Sequence, residues 1–353
     1  MIIIKANKII VLIFKIIFMS LFKKASELEE KKAISVLIYG QPGAGKSTLG
    51  VSAPGPVVVF DFDGGIRRVN MAHRAEVITV EVKQWSEVGQ ALADPEMAAF
   101  NTIVIDTAGK MLSFMDKDII AKSRDKNPIR SLTLNEYGIR KSMFNSFVQQ
   151  VLAMGKNLVF IAHEREEKDG DIKKIRPEIG GSSAGDLIKE LDLVGYLQLI
   201  GTERVISFTP CERFYAKNAC NLPPAFKVPI ILDANGNMTK DTKGRVIRNT
   251  FLTDVVSTYT MSQAERTKRL LHYDDLKNEV ELRITDVHDA ESANEAQEAF
   301  EEMEEVFDIR LYAKQLLYEK SVKLGLRWNR TEREREVKLI YFIFYLFVSF
   351  IVF

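Results

Sequence analysis

An α/β fold with a mostly parallel central sheet, helices flanking it, and a helical acidic C-terminal tail is predicted by three features of this sequence. Apolar, β-rich runs alternate with helical periods from Ala33 to about Pro210. Those runs are near-continuous in Val and Ile, as in strands buried on both faces. A glycine-rich loop joins the first run to the first helix. The predicted strands are Ile34–Tyr39, Val57–Asp61, Val77–Val80, Thr102–Asp106, Asn157–Ala162, Leu193–Ile200 and Val205–Thr209. A helix is predicted from Leu134 to Met154, where Tyr137, Met143, Phe144, Phe147, Val148 and Leu152 recur at core spacing.

Beyond residue 222 the pattern weakens. Asp233–Gly236 reads as a turn between short β-like pieces, and Met261–Tyr273 as a basic helix. From Asp286 to Asp308 there are carboxylates but no Lys or Arg, the composition of a solvated helix or a disordered linker. The organisation that follows is an extension over 1–32, a nucleotide-binding domain over 33–275, an acidic helical tail over 276–338 and an apolar segment over 339–353.

The 353 residues carry 49 Lys and Arg against 48 Asp and Glu, so net charge argues for no nucleic-acid partner and any such surface must be local. Cys211 and Cys220 form neither a CxxC pair nor a zinc motif, which points to a reducing, cytoplasmic setting. The two apolar ends are the sole membrane signal. The N-terminal run Ile9–Phe22 is interrupted by Lys15 and Ser20, and both ends fall short of the roughly 20 residues that span a bilayer. A start at Met19 would leave a polar lead-in to the first strand. Membrane anchoring through these ends is the alternative.

Gly40-Gln41-Pro42-Gly43-Ala44-Gly45-Lys46-Ser47-Thr48 carries the pattern G-x-x-x-x-G-K-[ST] between a strand and a helix. Glycines there let successive backbone N–H groups turn inward around a phosphate. Lys46 is placed to reach the β- and γ-phosphates of ATP, and the Ser47 hydroxyl to ligate Mg2+. The strand Thr102–Asp106 delivers a carboxylate to its carboxyl end, where ligands of open α/β sheets sit, so Asp106 is the second Mg2+-binding candidate. Phosphoryl transfer to water also needs a group that orients the nucleophile. Period two puts Asp61 and Asp63 on one side of a strand end before Gly64-Gly65, and Asp63 is the candidate. The alternative reading makes both carboxylates turn caps.

Together these segments resemble the RecA-like recombinases, closest to the small phage-encoded RecA-like ATPases that act in single-strand annealing, over about Ala33 to Pro224. The resemblance implies that Asp63 stands where the family has a water-activating Glu, a shorter arm. It also puts His163, at the end of LVFIAH, in the place of a γ-phosphate-sensing Gln. The residues after His163 match a flexible DNA-binding loop, in which Lys173, Lys174 and Arg176, with Gly180 and Gly181, would contact single-stranded DNA. Phe214 to Pro224 resembles the hairpin whose lysines reach a neighbouring subunit's γ-phosphate. Lys217 matches the first lysine, and Ala219 occupies the second position. The expectation is therefore an ATPase assembled head to tail as a ring or filament on single-stranded DNA in recombination or replication. A nucleotide-switched adaptor or helicase loader with slow turnover, and a replication partner bound through the acidic tail, are the further expectations.

Overall fold

A computed structural model describes residues 33–169, 172–180, 188–233, 235–329 and 334–337. Both apolar ends and Gly181 lie outside these residues. The chain divides into two compact units, Lys31–Ser262, and Gln263–Phe353 with Met1–Glu30. The sequence reading had ended the nucleotide-binding domain at 275.

The first unit is built on strands β1 (Ser35–Gly40), β2 (Val57–Asp61), β3 (Ile78–Glu81), β4 (Thr102–Asp106), β5 (Asn157–Asp169), β6 (Ile172–Pro177), β7 (Leu193–Ile200), β8 (Glu203–Ser207), β9 (Lys217–Asn218) and β10 (Ala225–Val228). Their order across the sheet is β10-β8-β7-β1-β5-β4-β2-β3, with β6 paired to β5 and β9 to β7. The run from β7 to β3 is parallel throughout, whereas β8 and β10 extend it antiparallel. The α/β class and the mostly parallel sheet are thus as the sequence predicts, and the fold is the RecA-like P-loop type.

Strand periodicity sorts side chains cleanly between the two faces. On one face Leu37, Tyr39, Val58, Phe60, Ile103, Ile105, Leu158 and Phe160 form a core. It is covered by α3 (Trp85–Ala93), α4 (Ala108–Lys122) and α5 (Leu134–Ala153). On the other face Val36, Ile38, Val57, Val59, Val104, Val159 and Ile161 meet Leu49 of α1 (Lys46–Gly50). Leu252, Val255 and Tyr259 of α6 (Phe251–Asp286) pack there as well. Both faces are dry, which is why the strands read as unbroken apolar runs. The short α2 (Met71–Arg74) lies between β2 and β3 and is capped by Asn70, whose side chain accepts from Ala72 N–H.

Two expectations about loops change. The stretch after His163 is an ordered hairpin, because β5 runs on past the sheet edge and pairs residue for residue with β6. The last predicted strand begins at Glu203 rather than Val205, since Ile200 pairs with Glu203 across a two-residue turn at Gly201, φ +62°.

The division between units falls within α6. The second unit contains α7 (Ala290–Glu302), α8 (Ile309–Lys323) and the hairpin β11 (Leu326–Asn329) with β12 (Glu334–Val337). Its core holds Val280, Ala293, Ala296, Phe300, Ile309, Ala313 and Leu317. Of the carboxylates of 286–308, Glu291, Glu295, Glu298, Glu301 and Glu302 lie on the exposed side of the packed helix α7, and Asp289 caps it through Ser292 N–H at 2.9 Å. No helix among the described residues is long and apolar enough to cross a membrane.

Where β1 meets β7 there is no room for a side chain. A Cβ on Gly40 would lie 2.2 Å from the Leu197 carbonyl oxygen, a backbone atom that cannot step aside alone. Gly40→Ala is expected to cost about 1–3 kcal/mol of stability, read as a lowered midpoint in thermal or urea unfolding. Nucleotide binding should weaken with it, because β1 must shift to relieve the clash.

Candidate functional site

Parallel register brings the chemistry to one edge of the sheet. Gly40 pairs with His163 and Leu197, Asp61 pairs with Asp106, and Asp106 pairs with Ile161. The strand β5 thus separates the phosphate-loop strand from the strand ending in Asp106. A cleft of about 480 Å³ opens at this carboxyl edge, bounded by Gly43, Gly45 to Thr48, Asp63, Asp106, His163 and Arg204. That volume lies within the usual range for small-ligand sites.

The loop Gly40 to Thr48 leaves β1 and enters α1, with Gln41 and Pro42 exposed and Ala44 and Lys46 buried. Gly43 and Gly45 hold φ +80° and +96°, left-handed values that side chains resist, and Gly45 is the N-cap of α1. Lys46 Nζ donates to the carbonyls of Gly40 at 3.0 Å and Gln41 at 2.7 Å. Burial pushes its ammonium pKa down, opposed by the carboxylates of Asp106 and Glu164.

Besides Glu164 Oε2, two buried carboxylate oxygens among the described residues have no hydrogen-bond partner, Asp63 Oδ1 and Asp106 Oδ2. Both lie within 3.1 Å of one point, the place a Cβ on Gly65 would take. The glycine leaves that space to the carboxylates. Ser47 bonds to the Asp106 carboxyl. Desolvation first, and then repulsion from Asp63 and Asp61, push the Asp106 pKa up to about 6, against the Ser47 hydrogen bond and the Lys46 charge. Orphaned acidic oxygens beside a hydroxyl fit a hard divalent cation such as Mg2+. Among the described residues no group of three or more His, Cys, Asp or Glu side chains could cage a metal. Ser47 and Asp106 would therefore hold Mg2+ together with phosphate oxygens and water, the usual manner for that ion.

Asp61 and Asp63 part company here. Asp61 accepts from the backbone N–H of Asp63, Gly65 and Ile66 at 3.2, 3.0 and 3.3 Å, so it is the turn cap. Asp63 is left facing the cleft. His163 also lines it, with a buried Nδ1 that has no partner. Lys217 is not brought to this cleft, since its Nζ donates to the Lys189 carbonyl at 2.5 Å.

The hairpin residues lie away from the phosphate loop. Lys173 pairs with Glu166 at 3.2 Å, Arg176 with Glu167 at 2.7 Å, and Lys174 stands opposite Glu167 in the ladder. Acidic and basic residues balance along the hairpin, which the sequence reading of a basic loop had passed over. The Gly180 carbonyl accepts from Arg140 Nη2 at 3.0 Å, so Gly180 is anchored where a mobile donor was expected. Sequence reasoning also missed Arg204, on β8, whose Nε donates to the Ala44 carbonyl at 3.0 Å. It missed Asn249 too, whose Nδ2 donates to the Thr48 carbonyl at 2.8 Å. Neither lies in a motif, and only the folded sheet places them by the loop.

Two outcomes are expected at this site. Lys46→Ala should abolish hydrolysis and weaken nucleotide binding by about tenfold or more, measured by phosphate release and by titration calorimetry. Mg2+ needs the ionised Asp106 carboxylate, so the Mg2+-dependent gain in nucleotide affinity should be full at pH 7.5. It should fall as pH drops through about 6. Asp106→Asn should remove both the gain and its pH dependence.

A search of curated proteins finds no match. Among solved structures, the flagellar accessory protein FlaH from Methanocaldococcus jannaschii is 10% identical, with 56% of this chain and 85% of that chain covered and a TM-score of 0.34. The protein family described as AAA domain matches residues 32–220, more than half of the chain and everything from β1 to β9. With its phosphate loop, buried acidic pair and parallel sheet inside that span, the chain belongs to this AAA-domain family of P-loop ATPases.

Proposed function

We propose that this protein hydrolyses ATP as a head-to-tail assembly on single-stranded DNA, in strand annealing or recombination of the phage or prophage type. One observation carries the reading. The strand β5 reaches the phosphate loop at His163, which pairs with Gly40 and lines the cleft, and continues from there into the hairpin that bears Lys173, Lys174 and Arg176. A rigid β-arm is a direct mechanical link between the γ-phosphate position and a surface about half a strand away. His163 reports the phosphate, and the hairpin responds.

Bound ATP with Mg2+ would supply the reacting phosphate and neutralise its charge. The chain's own groups do the rest. Lys46 and the loop N–H groups hold the phosphates, and Asp63 orients the attacking water across from Asp106. Ion pairs on the hairpin are exposed, and such pairs contribute only about 0–1 kcal/mol each. DNA phosphates can therefore displace Glu166 and Glu167 from their partners. A single hairpin of balanced charge binds DNA weakly, so the reading requires many hairpins side by side. Lys217 lies outside its own subunit's cleft, which suits a residue that completes the neighbour's site.

The same charge balance favours a second reading, an adaptor or helicase loader that turns ATP over slowly and recruits a replication protein, with the carboxylates of α7 as a docking face. Annealing of complementary strands and DNA-stimulated phosphate release by the full chain would support the first reading. A stable complex with a replication protein, without annealing, would select the second.

The assembly has its own test. Lys217→Ala should leave nucleotide affinity near that of the wild type, while DNA-stimulated hydrolysis falls by up to about 10³-fold, the low end of what a trans arginine contributes elsewhere. Mixing Lys217→Ala with Lys46→Ala should restore part of the activity, because one interface then pairs an intact loop with an intact Lys217. No recovery on mixing would remove the shared site and the head-to-tail arrangement.

A further inference from the structure

Arg204, like Lys46, is a cation that hydrogen-bonds a backbone carbonyl of the phosphate loop. It stands at the centre of a three-stranded antiparallel ribbon, opposite Leu199 of β7 and Val228 of β10, so its Cα position is fixed from both sides. Its side chain runs along the loop. A Cβ on Gly45 would touch Arg204 Nε at 3.4 Å and Cδ at 3.8 Å, and Nε donates to the Ala44 carbonyl at 3.0 Å.

That hydrogen bond uses one of the five N–H donors of a guanidinium and leaves both Nη nitrogens. Glu203, next in the chain, pairs with Lys227. Asp106 bonds Ser47, and Asp61 caps its own turn. Arg204 lines the nucleotide cleft and also a second cavity of about 410 Å³, bounded by Gln41 to Ala44, Tyr196 and Arg213, so it forms part of the wall between them. An arginine held by its Nε, with its planar end free at the rim of a phosphate cradle, has the geometry for a fork on phosphate oxygens.

We propose that Arg204 is a nucleotide-contacting residue donated in cis: its Nε steadies the phosphate loop at Ala44 while its Nη nitrogens bond the phosphate chain of the bound nucleotide. Lys46 then serves the inner side of the phosphates as a point charge, and Arg204 the outer side as a directional fork. The assignment rests on nucleotide binding at the phosphate loop and is independent of any action on DNA.

The test compares the full-length wild type with Arg204→Gln, Arg204→Lys and Lys46→Ala. Binding of Mg-ATP and Mg-ADP is measured by calorimetry, and the melting temperature is taken with and without nucleotide. Removing charge-assisted hydrogen bonds to phosphate should weaken binding about tenfold or more in Arg204→Gln. Arg204→Lys keeps the charge but cannot hold Ala44 and a phosphate together, and should lose about threefold or more. Without nucleotide the variants should melt slightly below the wild type, for loss of their hydrogen bonds to the loop carbonyls, and the nucleotide-induced rise should shrink in step with affinity. Wild-type affinity in either Arg204 variant, with Lys46→Ala impaired, overturns the proposal. A lowered melting temperature in both Arg204 variants with an undiminished nucleotide-induced rise also overturns it, since Arg204 would then be a structural strut alone. Undiminished binding by Lys46→Ala would instead overturn nucleotide binding at this loop.

Discussion

The in-register parallel pairing of β1, β5 and β4 is the constraint on which the site depends. Hydrogen bonds between these strands align Gly40, His163 and Asp106 at one edge, although they are far apart in the chain. The pairing is stable because both faces of the sheet are covered, so each strand side chain lies in one of two dry cores. Slipping any strand by one residue would exchange the two cores and move the terminal residue out of the cleft. Packing and catalysis are thus specified by the same register.

Charge at that edge is deliberately left unbalanced. Asp106 is buried beside Asp61 and Asp63, with Ser47 and Lys46 as its counterweights, and its carboxyl titrates near 6 in consequence. Burying carboxylate oxygens without partners is costly in the protein alone. A divalent cation entering with phosphates would offset that cost. Gly65 serves the same end, since any side chain there would fill the space between the two orphaned oxygens.

The hairpin beyond His163 shows how a sheet can act at a distance. A strand that outruns its neighbours at the sheet edge must find another partner for its backbone groups, and β6 supplies it. The result is stiffer than a loop. Arg140 ties the return segment down by bonding Asp116 of α4 and the Gly180 carbonyl.

Local features of the sequence were enough for the fold class, the phosphate loop, Asp106 at the end of its strand, and the helix Leu134–Ala153. Each is encoded by neighbours in the chain: apolar period, glycines at left-handed positions, and a capping box in which Thr133 and Glu136 bond reciprocally. Composition alone did not reveal the paired charges of the hairpin or the packed side of the acidic helix, because charge content does not say which acids face which bases or which side of a helix is buried. The separation of Asp61 as a turn cap from Asp63 as the cleft-facing carboxylate was also invisible, since period two places both on one side. Tertiary structure decided these matters, and it alone brought Arg204 and Asn249 to the loop. Such residues are specified by long-range strand pairing and helix docking, contacts between positions far apart in sequence, for which no local pattern of residue types exists.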